Sequence, residues 1–150
     1  MEQPIILAYI GVTLAIALSG AGSAYGVTVA AKAAIGAMKK APDSFGSFLI
    51  LCTPPSTNGL YGFLGYFMMA KFLTDAITIH QAAAIFAACT ALGLVNLFSA
   101  ICQGQASANA MAAISSGHDI FGKSLMLIVF AELYAIVSLA ALFLIGGTLG

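Results

Sequence analysis

Glu132 is the one acidic residue embedded in an apolar run, Val129-Phe130-Ala131-Glu132-Leu133-Tyr134. The other acids, Glu2, Asp43, Asp75 and Asp119, fall at or near the ends of apolar segments. An ionised carboxylate at mid-bilayer costs about 2.5–3.5 kcal/mol on insertion scales. A residue kept there is either protonated against a neighbour or functional. The functional chemistry is a negative charge cancelled by a bound cation or proton and restored when that partner leaves.

Counting from the polar breaks brings further polar residues to the same depth. Glu132 lies 14 residues from His118, Gln103 lies 14 from Gly117, and Thr57 lies 15 from Pro42. Fourteen residues of helix rise about 21 Å. Asn58 and Tyr61 join the cluster by helical spacing. Just before them stands Pro54-Pro55. Proline has no N–H and collides with the carbonyl four residues earlier, so the oxygens of Ile50 and Leu51 are expected to lose their usual partners. Irregular backbone at membrane depth is tolerated where it lines a cavity or is buried in protein. Carbonyls, a hydroxyl, amides and a carboxylate are hard oxygen donors, suited to a small alkali cation.

These residues need helices that cross a membrane to hold them. Of the 150 residues, 61% are hydrophobic and 7% charged. A soluble domain carries about 25% charged residues, so this chain could not cover itself against water. A spanning helix needs about 20 apolar residues. Polar breaks at Lys39 to Asp43, Lys71 to Gln81 and Ser115 to Asp119 predict helices near 4–39, 43–71, 76–116 and 119–147, with Asp43 and Asp119 suited to cap the second and fourth. The start, Met1-Glu2-Gln3-Pro4, lacks a basic signal region, and the apolar run behind it predicts a retained first helix. Cys52, Cys89 and Cys102 all lie in apolar segments, an odd number that favours packing over disulfides.

The chain is one hairpin written twice. At an offset of 76, Asp43 matches Asp119, Ser23-Ala24 matches Ser99-Ala100, and Phe45-Gly46 matches Phe121-Gly122. Beyond Leu51 the offset falls to 73, where Leu60-Tyr61 matches Leu133-Tyr134 and Gly59 stands opposite Glu132. The expected units are therefore 1–73 and 74–150, forming one all-α membrane domain. Lys32, Lys39, Lys40 and Lys123 lie toward the first and third loops and only Lys71 toward the opposite side. The positive-inside rule makes those two loops cytoplasmic and puts both termini outside. Small-residue stripes at Gly22, Gly26, Ala30 and Ala34, and at Ala100, Gly104, Ala108, Ala112 and Ser116, serve close helix approach. Either they pack within the subunit or they line the tight inner layer of a multi-subunit ring, the reading preferred.

Three segments resemble the duplicated proteolipid of V-type ATPases, the c or K subunit of the rotor ring. They are Pro55-Ser56-Thr57-Asn58-Gly59-Leu60-Tyr61-Gly62-Phe63, Phe98-Ser99-Ala100-Ile101-Cys102-Gln103-Gly104 and Glu132-Leu133-Tyr134-Ala135-Ile136. The resemblance spans nearly the whole chain and includes one carboxylate per four helices. It implies a closed ring of about ten copies turning against a static membrane subunit that supplies an arginine. Central-stalk subunits would bear on the cytoplasmic loops. It also implies roles for residues: Glu132 holds the transported ion with Gln103, Thr57, Asn58 and the backbone carbonyl of Pro54, and Tyr61 hydrogen-bonds the carboxylate and locks the site. Sodium is the preferred ion. Asn58 stands where the sodium pattern has a glutamine, one methylene longer, so a proton carrier is the alternative.

Other classes fit less well. No phosphate-binding glycine loop is present, so the chain is not expected to hydrolyse ATP itself, and neither an organic cofactor nor a nucleic-acid partner is expected. A small four-helix antiporter could use one membrane glutamate but would not require a duplicated hairpin. A passive scaffold leaves Glu132 and its partners at equal depth unexplained.

Overall fold

Apolar stretches interrupted by polar loops fold into antiparallel helical rods in the computed structural model, which describes residues 4–150. The expectation drawn from Met1-Glu2-Gln3 lies outside the described residues. Helix α1 runs Pro4–Met38. A short 3-10 turn, Pro42–Ser44, leads into α2, Phe45–Leu51, and then α3, Pro54–Met69. After a second 3-10 turn come α4, Ile79–Ser115, and α5, Phe121–Gly147. Helices α1, α4 and α5 are each long and apolar enough to cross a membrane. With 35 and 37 residues, α1 and α4 reach over 50 Å, against a hydrocarbon core of about 30 Å. The chain is an all-α integral membrane protein of two tandem hairpins.

The second rod departs from the expected continuous helix over 43–71. It is broken between Leu51 and Pro54, where the prolines withdraw two N–H groups. Cys52 and Thr53 nevertheless keep right-handed helical angles, so the rod crosses without a corner. The break is a change of hydrogen bonding. Ile50 does not lose all partners, because its carbonyl accepts the Thr53 amide at 3.1 Å and the Thr53 hydroxyl at 2.8 Å. Tightened three-residue bonds of this kind are how helix ends satisfy stranded carbonyls.

The helix ends correct a second expectation. Asp43 sits inside the 3-10 turn, Ser44 precedes α2 and Ile120 precedes α5, and none of these starts has a side-chain cap bond. The one capping box among the described residues belongs to α4: Thr78 accepts the Gln81 amide, and the Gln81 side chain accepts from the Thr78 amide. Gln81 also donates to the carbonyl of Leu149 at 2.7 Å, tying the start of α4 to the end of the chain. At the other end of α4, Gly117 takes a φ of +93° and the His118 amide returns to Ala113. That left-handed turn is the reason for glycine there.

Helices α1 and α4 make the most extensive contact, with α3 packed on both and α5 packed on α4 and α3. A Cβ on Gly22 would lie 2.6 Å from Leu97 Cα, and one on Gly104 would run into the backbone of Gly26. The stripe residues Gly22, Gly26, Ala30 and Ala34 of α1 and Ala100 and Gly104 of α4 are thus buried inside the subunit. This is the intramolecular use, not the ring-lining use preferred from the sequence. Only Ala108, Ala112 and Ser116 keep partial or full exposure. Cys52, Cys89 and Cys102 are free thiols, and Cys102 lies on the outer surface rather than in the core.

Two apolar clusters fill the bundle. One gathers Ala8, Val12, Ala15, Met69, Ile85, Leu92 and Leu142 toward the end bearing the chain termini. The other gathers Ala30, Phe48, Leu51, Met111 and Ile128 toward the opposite end. Between them lies a polar belt of Ser19, Asn58, Asn96, Ser99 and Gln103, all buried. A polar layer inside a membrane bundle demands internal hydrogen bonds, because lipid supplies none.

Candidate ion-binding site

The polar belt is where the sequence-predicted residues meet. The hydroxyl of Tyr61, on α3, donates to Glu132 Oε1, on α5, at 2.6 Å. Such a short bond to a carboxylate oxygen is of the charge-assisted kind when the acid is ionised. One turn toward the proline break, Asn58 Nδ2 donates to Gln103 Oε1 of α4 at 2.8 Å. Both amides are completely buried. Thr57 donates its hydroxyl to the carbonyl of Pro54 at 2.8 Å. The six residues are joined through their side chains as three pairs.

Each pair has a local cause. The prolines open the first turn of α3, and Thr57 closes it by binding the carbonyl three residues back. Asn58 and Tyr61 are three apart on one helix, so they project to neighbouring faces: Asn58 inward to α4, Tyr61 outward to α5. Glu132 is half-buried. It sits on a helix whose large apolar side chains, among them Leu127, Phe130, Tyr134 and Val137, are exposed. The carboxylate therefore stands at the boundary between the protein interior and the lipid-facing surface.

The belt is not fully satisfied. Asn58 Oδ1 and Gln103 Nε2 are buried without a hydrogen-bond partner. Whichever way the two amides turn, one oxygen and one NH2 group are left over. A buried acceptor left unmade costs about 1–3 kcal/mol, and a cation accepting its lone pair would remove that cost. Asn58, though one methylene shorter than glutamine, reaches Gln103 directly. The unpartnered Asn58 Oδ1 is a hard oxygen of the kind a small cation takes, whereas Gln103 leaves an NH2 group.

Four further polar residues, Ser19, Ser23, Asn96 and Ser99, carry no site role in the sequence reading. Ser19 accepts from Asn96 Nδ2 at 3.0 Å. Ser23 donates to the carbonyl of Pro55 at 2.7 Å and accepts the Gly59 amide at 2.7 Å. Ser99 donates to the carbonyl of Ala131 at 2.9 Å. In the sequence, Ser23 and Ser99 are visible only as matching letters of the repeat. Their contacts with α3 and α5 depend on helix rotation, which the letters do not encode.

Fold and belt define a tandem-hairpin membrane protein with a single carboxylate inside an apolar helix, held by a tyrosine of the neighbouring helix. The chain belongs to the family of the ATP synthase C subunit, which it matches twice, over residues 10–69 and 86–145. It is 35% identical over 148 residues to the A-type ATP synthase subunit K of Methanocaldococcus jannaschii, covering 97% of this chain. It is 30% identical over 140 residues to the V-type sodium ATPase subunit K of Enterococcus hirae, covering 93% of this chain. The matched region spans 65% of the first relative and 90% of the second. The family resemblance carried by the three quoted segments is thereby met. The two family matches are equal in length and displaced by 76 at both ends. Taken without gaps, an offset of 76 sets Ser56 opposite Glu132, and the offset of 73 sets Gly59 there. In either register the first copy has no carboxylate there.

Proposed function

We propose that this chain is the ion-carrying subunit of a rotary membrane ring, taking one cation at a time at Glu132. The observation that carries this reading is the pairing of Tyr61 with Glu132, with a buried, unpartnered amide oxygen on Asn58 one turn earlier on the same helix as Tyr61. Glu132, Gln103, Thr57, Asn58 and the Pro54 carbonyl supply oxygens to the ion, and Tyr61 holds the carboxylate toward them. Sodium is the preferred ion. Two considerations favour it. A proton needs only the acid and one partner, whereas this belt keeps several further oxygens. The relative from Enterococcus hirae is also named as a sodium ATPase subunit.

The cycle follows from the cost of the charge. A bound cation neutralises Glu132, so the loaded site travels past lipid without the penalty of an exposed anion. At a static membrane subunit, an arginine and water favour release, and the empty carboxylate stays near that positive charge until it reloads. Identical subunits, about ten to a closed ring, repeat the step. Central-stalk subunits transmit torque through the loops near Lys39 and Lys123, which this reading places on the cytoplasmic side with both termini outside. ATP chemistry belongs to a separate catalytic head.

Carbodiimide labelling tests the ion. These reagents attack the protonated acid, so bound sodium protects it. Labelling of Glu132 across pH, with and without sodium, is expected to fall in sodium. No protection at any pH would leave the proton as the carried ion. Native mass spectrometry of a detergent extract tests the assembly: a ring of many copies is expected, and a dimer would favour the antiporter.

A further inference from the structure

We infer that Ser23 and Ser99 are a matched pair of positioning residues that hold the two walls of the Glu132 site at their working separation. This deepens the proposed reading of Glu132 as a cation site and rests on it.

The two serines occupy equivalent places on the paired inner helices α1 and α4, 76 residues apart. Each reaches across to an outer helix and donates to a backbone carbonyl 32 residues further on: Ser23 to Pro55, Ser99 to Ala131. Each of those carbonyls adjoins a site residue. Pro55 follows Pro54 and opens the turn that carries Thr57 and Asn58. Ala131 immediately precedes Glu132. A main-chain anchor one residue away fixes the origin from which the ligand side chain projects.

Ser23 does more than anchor. Within α3 the Gly59 amide and the Pro55 carbonyl are the two ends of one helical turn, four residues apart. Here the Ser23 hydroxyl accepts from that amide and donates to that carbonyl, both at 2.7 Å. The hydroxyl therefore bridges both ends of one helical turn, and Thr57 and Asn58 lie within that turn. Gly59 makes the approach possible: a Cβ there would stand 3.2 Å from Ser23 Oγ and 3.4 Å from its Cβ. The pair thus sets the position of α3 relative to α1 and of α5 relative to α4, and so the gap that the Tyr61–Glu132 bond closes.

Ser19 supplies the control. Its bond with Asn96 also joins α1 to α4 inside the belt; it packs against Gly62 beside Tyr61 but makes no hydrogen bond to the backbone next to an ion ligand. The experiment measures carbodiimide labelling of Glu132 in the assembled ring for Ser23→Ala, Ser99→Ala, Ser99→Thr and Ser19→Ala. One hydrogen bond is worth about five- to tenfold in an equilibrium constant. Ser23→Ala and Ser99→Ala are expected to raise the sodium concentration for half-protection by about that factor, Ser99→Thr to restore it, and Ser19→Ala to change it by less than about twofold. Unchanged half-protection in both serine variants, or an equal loss in Ser19→Ala, would overturn the proposal. If sodium protects not even the unmodified protein, the sodium reading fails and the clamp is judged on labelling against pH without sodium. Ser23→Ala and Ser99→Ala must then move that midpoint while Ser19→Ala does not; otherwise the clamp fails too.

Discussion

The two hairpins meet the polar belt with the same serine but with different outer helices. In the first, Ser23 holds a rod broken by Pro54-Pro55 and presses against Gly59. In the second, Ser99 holds an unbroken α5 that carries Glu132 one residue beyond the anchored carbonyl. In the proposed site the first copy would supply Thr57, Asn58, the Pro54 carbonyl and Tyr61, and the second would supply Gln103 and the charge. A duplicated hairpin has in this way divided one site between its halves. A second acid in the first copy would put two anions at one membrane depth, each with its own desolvation cost.

The sharpest break in that comparison removes the charge. Glu132→Gln is expected to reduce coupled ion transport in reconstituted membranes to background while the ring still assembles, because an amide is neutral with or without an ion. Transport persisting in that variant would sink the mechanism. Next in size is a fault in the shared scaffold. Gly104→Val would drive a branched side chain into the Gly26 backbone. Overpacking costs about 1–3 kcal/mol and more where backbone is struck, so thermal stability of the extracted protein should fall and assembled ring should be lost.

A third change tries to make the halves alike. Gly59→Glu would place a side chain against Ser23, with an expected destabilisation of about 2 kcal/mol. Adding Ser23→Ala relieves part of the clash, so a double-mutant cycle in thermal unfolding should return a coupling above about 0.5 kcal/mol. Simple additivity would mean that Ser23 does not constrain that position. The smallest effect belongs to Tyr61→Phe. Losing its 2.6 Å bond to Glu132 should weaken ion retention by about 1–1.5 kcal/mol, read as faster carbodiimide labelling at fixed sodium.

Much of the fold is legible in the sequence because lipid imposes blunt requirements. The apolar runs locate α1, α4 and α5 to within a few residues, and the repeat gives the hairpin order. The second rod reads as one continuous helix even though Pro54-Pro55 marks the break, because Thr53 repairs the ladder without changing the chain's direction. Asp43 and Asp119 resemble caps by composition, yet the box forms at Thr78 and Gln81. An N-cap depends on where the backbone turns, which composition places only to within a residue or two.

The sequence by itself determined that one carboxylate lies within an apolar helix, and that Glu132, Gln103 and Thr57 fall at nearly equal counts from the polar breaks, with Asn58 and Tyr61 beside Thr57. Helical rise is fixed, so depth follows from counting. Only the tertiary structure decided which residues touch: Tyr61 to Glu132, Asn58 to Gln103, and two serines to the carbonyls beside them. Those contacts depend on how each rod is rotated about its axis. That rotation is set by glycines which let α1 and α4 approach to backbone distance, a property of the packed bundle that no single helix contains.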